Sequence, residues 1–175
     1  MNNICVMEEL PGVFKDCAGI VVEEYDPIGV SKHTVKNQTG KVYECRQWCD
    51  IIKPTTAKIV STYADDFFEG KAAVTVNNYK TGKVYYLGTV FNSDYYYDFM
   101  SNVLKESHID YYDNLGDGLE LSIRSNINGN YLFVFNNSNE FKDFQAKTTC
   151  ESILNRDTEG KKFSLKPYEV EILKY

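Results

Sequence analysis

One segment restricts the fold more than any other, the run from Asp66 to Thr89. Within it, Ala72 to Asn78 and Lys83 to Leu87 are rich in valine, threonine and tyrosine, and Lys80-Thr81-Gly82 joins them. β-Branched and aromatic side chains suit a pleated, half-buried surface, and glycine suits the link. The segment therefore reads as two strands. Just before it, Ala57 to Tyr63 alternates well enough for another strand. The acidic stretch Asp65 to Gly70, with its two phenylalanines, reads as a turn.

Upstream, Leu10 to Ala18 is expected to be a short helix with Pro11 near its start and Gly19 at its end. Ile20 to Tyr25 is then a β-type run, stopped at Asp26-Pro27 because proline does not continue a central strand. Ile28 to Gly40 reads as a loop or weak hairpin, and Lys41 to Cys45 as a strand. Ser93 to Ser107 carries the best helical pattern. Tyr96, Phe99, Met100, Val103 and Leu104 form one apolar stripe, which places Tyr96 in the core and turns Tyr95 and Tyr97 elsewhere. Asn92 or Ser93 caps its start.

Beyond Ser107 the turn signals multiply: Asn114, Gly116, Asp117-Gly118 and Asn128-Gly129. Leu119 to Arg124 alternates strictly, Tyr131 to Phe135 returns, and Phe141 to Ala146, Cys150 to Leu154, Lys162 to Leu165 and Val170 to Leu173 follow as short strands. This spacing suggests a small antiparallel sandwich or barrel. The boundary falls between Asp110 and Asp117, giving regions 1–112 and 113–175.

Composition narrows the function. Of 175 residues 43% are hydrophobic, enough for a core, and the formal charge is -6 with no basic patch. Nucleic acid is therefore not an expected partner, and no apolar stretch is long enough to span a bilayer. Met1-Asn2-Asn3-Ile4 lacks the features of a secretory signal. Five cysteines, Cys5, Cys17, Cys45, Cys49 and Cys150, are read as free thiols of a cytoplasmic chain rather than a disulfide framework. Asn37-Gln38-Thr39 and Asn136-Asn137-Ser138 match the glycosylation pattern, which carries no meaning in that compartment.

The local chemistry favours bland roles. Glu23, Glu24 and Asp26 cluster in sequence, but successive strand residues point apart, so solvated or interface charges are expected. Asp65-Asp66 is expected at a turn or cap. Cys45 and Cys49, four apart with His33 nearby, would share one face of a helix and suit zinc, but a fourth ligand is missing and buried thiols are favoured. Cys17 sits at a helix end, where the dipole disfavours a thiolate, and His33 and His108 lie in expected loops. Gly116-Asp117-Gly118 is a turn, not a phosphate loop. Tyr95-Tyr96-Tyr97 and Tyr111-Tyr112 invite a sugar-stacking reading, balanced by the ordinary use of tyrosine in cores and interfaces. No catalytic, cofactor-binding or metal-binding residue is assigned, and no cofactor is expected.

Three stretches together resemble one family. They are Leu10-Pro11-Gly12-Val13-Phe14 with Gly19 to Gly29; Trp48 and Asp50 through Ala57 and Tyr63 to Phe68-Glu69-Gly70, Ala73-Val74-Thr75 and Tyr85 to Thr89; and Arg124, Tyr131 to Ser138, Leu165-Lys166-Pro167 and Val170. In order and spacing they are similar to the trimerisation and C-terminal domains of the β-galactosidases of glycoside hydrolase family 42. The resemblance implies an α/β fold followed by an all-β one: a partial flavodoxin-like (glutamine-amidotransferase-like) domain, then a small antiparallel β sandwich. The leading units of that middle domain and the catalytic (β/α)8 barrel would be absent, so the chain would be a fragment or would pair with a separate N-terminal piece. It implies a non-catalytic part of the enzyme, serving subunit assembly in a homotrimer and supporting the barrel. Retaining hydrolysis needs two carboxylates about 5–5.5 Å apart, which would lie in the missing barrel, so no activity is expected from this chain alone. A carbohydrate-binding β module and an autonomous thiol enzyme are the rival readings.

Overall fold

A computed structural model of the chain describes residues 8–112, 115–155 and 158–175 and forms two compact units, 1–109 and 110–175. Cys5, the opening Met1 to Ile4 and the turn residue Asn114 lie outside the described residues. In the first unit a 3-10 turn over Gly12–Phe14 runs into a single helical turn, α1 (Lys15–Ala18). Gly19 ends it at φ 64°, where a Cβ would stand 2.4 Å from Thr56 Oγ1. Only glycine tolerates both that backbone angle and that approach.

The next elements are β1 (Ile20–Asn37), β2 (Val42–Pro54), β3 (Lys58–Tyr63), β4 (Ala72–Tyr79), β5 (Gly82–Leu87) and β6 (Thr89–Phe91). They form one sheet in the order β5-β4-β3-β1-β2-β6, every pairing antiparallel. A further antiparallel pairing, Ile52 of β2 with Ala72 of β4, closes β4, β3, β1 and β2 into a ring. Helix α2 (Ser93–Glu106) follows, capped by the Asn92 side chain, which accepts from the Tyr95 N–H. Inside lie Val35, Tyr43, Cys45, Cys49, Ile51, Tyr63, Phe68, Ala73, Val74, Phe91 and Tyr95.

This barrel-like sheet corrects the expected α/β, flavodoxin-like domain. A doubly wound fold needs parallel strands, and parallel neighbours need crossovers of a dozen or more residues, usually a helix. Here β4 and β5 are joined by Lys80 and Thr81 alone, and α2 comes after the last strand of its sheet. Pro27 does not end β1. The register steps from Asp26↔Cys49 to Gly29↔Gln47 and then to Lys32↔Arg46, so Pro27 falls in a bulge where no ladder bond is asked of it. Most of the expected loop from Ile28 onward is therefore strand, out to Asn37.

The stripe expected on α2 is also displaced. Tyr95 is the buried tyrosine, at 4% exposure, whereas Tyr96 is 39% and Met100 48% exposed. The inward face includes residues whose polar tips find partners at the sheet, as in the Tyr95 hydroxyl 3.1 Å from Ser61 Oγ. Hydrophobic spacing does not count such residues.

The second unit holds β7 (Leu119–Asn126), β8 (Gly129–Asn136), β9 (Lys142–Ser152), β10 (Glu159–Leu165) and β11 (Val170–Lys174), ordered β10-β9-β11-β8-β7. It is one antiparallel sheet rather than two facing ones. β9 unites the two strands expected at 141–146 and 150–154. Its register against β10 shifts between Gly160 and Lys162, and such a bulge bends a strand. Phe144 and Ala146 before the bend and Cys150 after it share a core with Leu132, Val134, Phe163, Leu165 and Leu173. Asn136 is buried there, its Nδ2 donating to the Glu140 carbonyl at 2.7 Å and the Lys166 carbonyl at 2.7 Å, so it is no glycan acceptor in the folded chain.

Candidate functional site

Residues from the second of the three resembling stretches, among them Trp48, Asp50, Tyr63, Ala73 and Gly88, converge on one node where β2, β3, β4 and the start of β6 meet. The Tyr63 hydroxyl, fully inside the barrel, is within 3.1 Å of both the Asp50 and the Gly88 carbonyls. The Asp50 N–H donates to Gly88 O at 2.7 Å, and the Gly88 N–H donates to Ala73 O at 2.9 Å. Gly88 is packed too tightly for a side chain, since a Cβ would meet Ile52 Cδ1 at 2.7 Å. The Asp50 carboxylate accepts from Trp48 Nε1 at 2.5 Å and from the Tyr86 hydroxyl at 2.7 Å. Burial pushes the Tyr63 and Tyr86 phenols up, and the neighbouring Asp50 carboxylate raises Tyr86 further. Both stay protonated donors at neutral pH. Outside the node, Trp48 stacks on Tyr25 with ring centroids 4.8 Å apart.

A second feature is a groove of about 430 Å³ between α2 and the sheet, with Tyr43, Ser61, Tyr85, Tyr95 and Phe99 in its lining. Its two acids, Asp98 and Glu106, are both engaged. Asp98 accepts from Lys41 Nζ at 2.5 Å and the Tyr43 hydroxyl at 2.8 Å. Glu106 accepts from Lys83 Nζ at 2.5 Å and the Tyr85 hydroxyl at 3.0 Å. The lysine bonds foremost hold both carboxyls below their ordinary range. A glycosidase acid needs the opposite shift. Eight residues apart on one helix, the two acids are separated by about 12 Å along its axis, wider than either glycosidase geometry. They clamp the helix at two points and do not form a hydrolytic pair.

The other candidates separate in the same way. Glu23 and Glu24 are both exposed, Glu23 being the extra residue of a register shift between Val22 and Glu24 and pairing with Lys53 at 3.5 Å, while Asp26 lies two residues beyond Glu24 along β1. Asp65 is more than a turn residue. It accepts from the Thr34 N–H at 2.9 Å and Thr34 Oγ1 at 2.6 Å, and its other oxygen lies 3.0 Å from His33 Nδ1. Burial works against this carboxylate, yet the Thr34 and His33 bonds outweigh it and hold Asp65 below its ordinary value. Asp66 takes a positive φ of 63° and lies 3.6 Å from His33.

Cys45 and Cys49 sit on a strand, not a helix, and both are buried. Among the described residues no group of three or more His, Cys, Asp and Glu side chains is placed to hold a metal. Cys17 Sγ donates to Phe14 O at 3.2 Å, and His108 is exposed. Tyr112 packs on Phe144 at 5.4 Å with Lys147 above its ring, so it is not an open stacking platform. Sequence reasoning missed Phe68, which is fully buried against Tyr63 and His33. Neighbouring Asp65, Asp66 and Glu69 marked the segment as solvated and hid its inward ring.

Comparison with known families decides what this framework is. Residues 1–110 match the model of the β-galactosidase trimerisation domain, and residues 118–175 match that of the β-galactosidase C-terminal domain. The chain belongs to the β-galactosidases of glycoside hydrolase family 42. It is 58% identical over 173 residues to the β-galactosidase BgaA of Clostridium cellulovorans, covering 99% of this chain and 26% of that protein. It is 32% identical over 166 residues to the β-galactosidase LacA of Lactobacillus acidophilus, covering 94% and 25%. The crystal structure of β-galactosidase from Bacillus circulans sp. alkalophilus shares the fold with a TM-score of 0.84 at 23% identity, over 98% of this chain and 26% of that one. The chain thus spans about a quarter of the length of these relatives. Within the matched trimerisation domain, Trp48, Asp50, Tyr63, Ala73 and Gly88 are the residues of the node. They tie together the strands of this β-galactosidase segment.

Proposed function

We propose that this chain is the non-catalytic portion of a cytoplasmic β-galactosidase, acting in subunit assembly of a homotrimer and in support of a catalytic barrel on another part of the enzyme. The observation that carries the reading is the match of residues 1–110 to a trimerisation domain. The clamped state of Asp98 and Glu106 supports it, because the acids of the groove along α2 are spent on holding that helix. The reading is tested with the purified chain and a chromogenic β-galactoside, together with light scattering. No turnover above blank and a mass three times that of one chain are expected. Turnover above blank would overturn the non-catalytic reading, and a monomer at all concentrations would overturn the assembly role.

The groove along α2 favours one second reading, sugar binding, since Tyr85 and Phe99 wall it beside Ser61 and Asn102. Titration with galactose and lactose separates the two. A purely architectural piece gives no saturable signal.

A further inference from the structure

The bulge in β2 brings together two thiols that its sequence spacing would keep apart. In a regular strand, residues four apart have Cα atoms separated by about 13 Å. Against β6, however, Cys45 pairs with Phe91 and Cys49 pairs with Thr89, so four steps on β2 span two on β6. Arg46 still pairs with Val90, and the excess is taken up by Gln47 and Trp48, with Gln47 at φ 70°. Cys45 and Cys49 therefore stand about 6.5–7 Å apart at Cα, the spacing of alternate residues on a strand. Alternate positions also share a face, and both side chains point into the same core. That separation lies at the upper end of the range a disulfide bridges, about 4.4–6.8 Å.

The two thiols are chemically unequal. The Cys45 thiol beside it foremost, with Thr89 Oγ1 at 3.8 Å and the charge of His33, outweighs burial and draws the Cys49 thiol below its ordinary value. The Cys49 sulfur foremost, together with burial, pushes the Cys45 thiol well up. One sulfur is placed to react as thiolate and the other to resolve it. Both are fully buried, which selects a small uncharged oxidant.

We propose that Cys45 and Cys49 are a peroxide-reactive dithiol, a modification site in which a small hydroperoxide converts the pair to an intramolecular disulfide within the folded barrel. The Cys49 thiolate attacks the O–O bond of hydrogen peroxide, giving a sulfenic acid and hydroxide. The Cys45 sulfur then attacks the sulfenic sulfur, expelling its hydroxyl group, and the Cys45 proton leaves with it as water. The two sulfurs lose two electrons in all and the peroxide oxygens gain them, so two thiols and one peroxide give one disulfide and two waters.

Trypsin makes the product readable, because it cuts at Arg46 between the two cysteines and not at Lys53, which precedes Pro54. The reduced, folded chain is treated with hydrogen peroxide, quenched by alkylation in denaturant, digested, and analysed by mass spectrometry. Peptides 42–46 and 47–58 are expected as one disulfide-linked species, in about tenfold excess over any other cysteine pairing. In C45S, dimedone is expected to trap a sulfenic acid on Cys49, and in C49S no equivalent adduct on Cys45. Absence of the linked species from the folded wild-type chain, or its appearance only in unfolding concentrations of urea, overturns the proposal whatever the variants do.

Discussion

Two adjacent phenylalanines give the most discriminating test of the barrel. Phe67 and Phe68 share a turn, yet Phe67 is 65% exposed and Phe68 is 0% exposed. Phe68 packs on Tyr63 with centroids 4.8 Å apart and edge-on to His33 at 5.5 Å. Truncating a core phenylalanine to alanine costs about 3–5 kcal/mol, transfer and cavity together. Phe68 is carried by a short turn, held by Gly70 N–H to Tyr63 O and Lys71 N–H to Phe68 O. That turn settles inward when the ring is removed, so the lower end applies, about 3 kcal/mol. With a urea slope of about 2 kcal/mol/M, the midpoint falls by about 1.5 M. Phe67→Ala loses an exposed ring and one edge contact to Phe68 at 4.9 Å, and is expected to cost under about 1 kcal/mol. The single tryptophan, Trp48, lies in the same unit, so its fluorescence follows this transition. Equal shifts for the two variants, or a Phe68→Ala shift under about 0.5 M, would refute the placement of Phe68 as the plug of the barrel.

Two further outcomes are expected. Gly88→Ala forces a methyl to within 2.7 Å of Ile52 and 3.2 Å of the Ala73 carbonyl, and overpacking of this kind should cost about 2 kcal/mol, or about 10 °C in the melting temperature of a unit this size; an unchanged melting curve would contradict the close approach of β4 and β2. Asp65→Asn should cost about 1 kcal/mol at neutral pH, counting charge-assisted bonds discounted for partial exposure. Because the folded state holds the Asp65 carboxyl below its ordinary value of 3.8, its contribution is complete above that pH and is lost as the pH falls through the lower, folded value. The stability gap between wild type and variant should therefore be constant near neutrality and close in strong acid; a gap that widens on acidification would show the opposite sign.

Much of the local structure was readable from the chain, and the reasons differ by element. Ala72 to Asn78 and Lys83 to Leu87 were legible because their composition, turn and pairing agree. α2 was legible in extent because the Asn92 cap and the apolar period coincide. Its buried face was not, because Tyr95 buries its ring while keeping its hydroxyl bonded to Ser61, and a stripe drawn by hydrophobicity passes over it. Pro27 misled for another reason: the rule that proline ends a strand assumes an unbroken ladder, and β1 skips there. The ring itself rests on a single pairing, Ile52 with Ala72, between residues twenty apart, and no local pattern encodes it. The node was not visible, since Trp48, Asp50, Tyr63 and Gly88 were read only as parts of one resembling stretch, and the bonds that join them exist only after closure.

The bond from Tyr63 to Gly88 has a temporal consequence. The chain leaves the ribosome from its N-terminal end, and the β1–β2 hairpin is complete once residue 54 is out. The phenol of Tyr63 meets the Asp50 carbonyl, already made, but its second partner comes 25 positions later. Until Gly88 emerges the nascent barrel is pinned at its centre by one bond instead of two, so locking this unit is an act of late synthesis, timed by the residue that leads into its sixth strand.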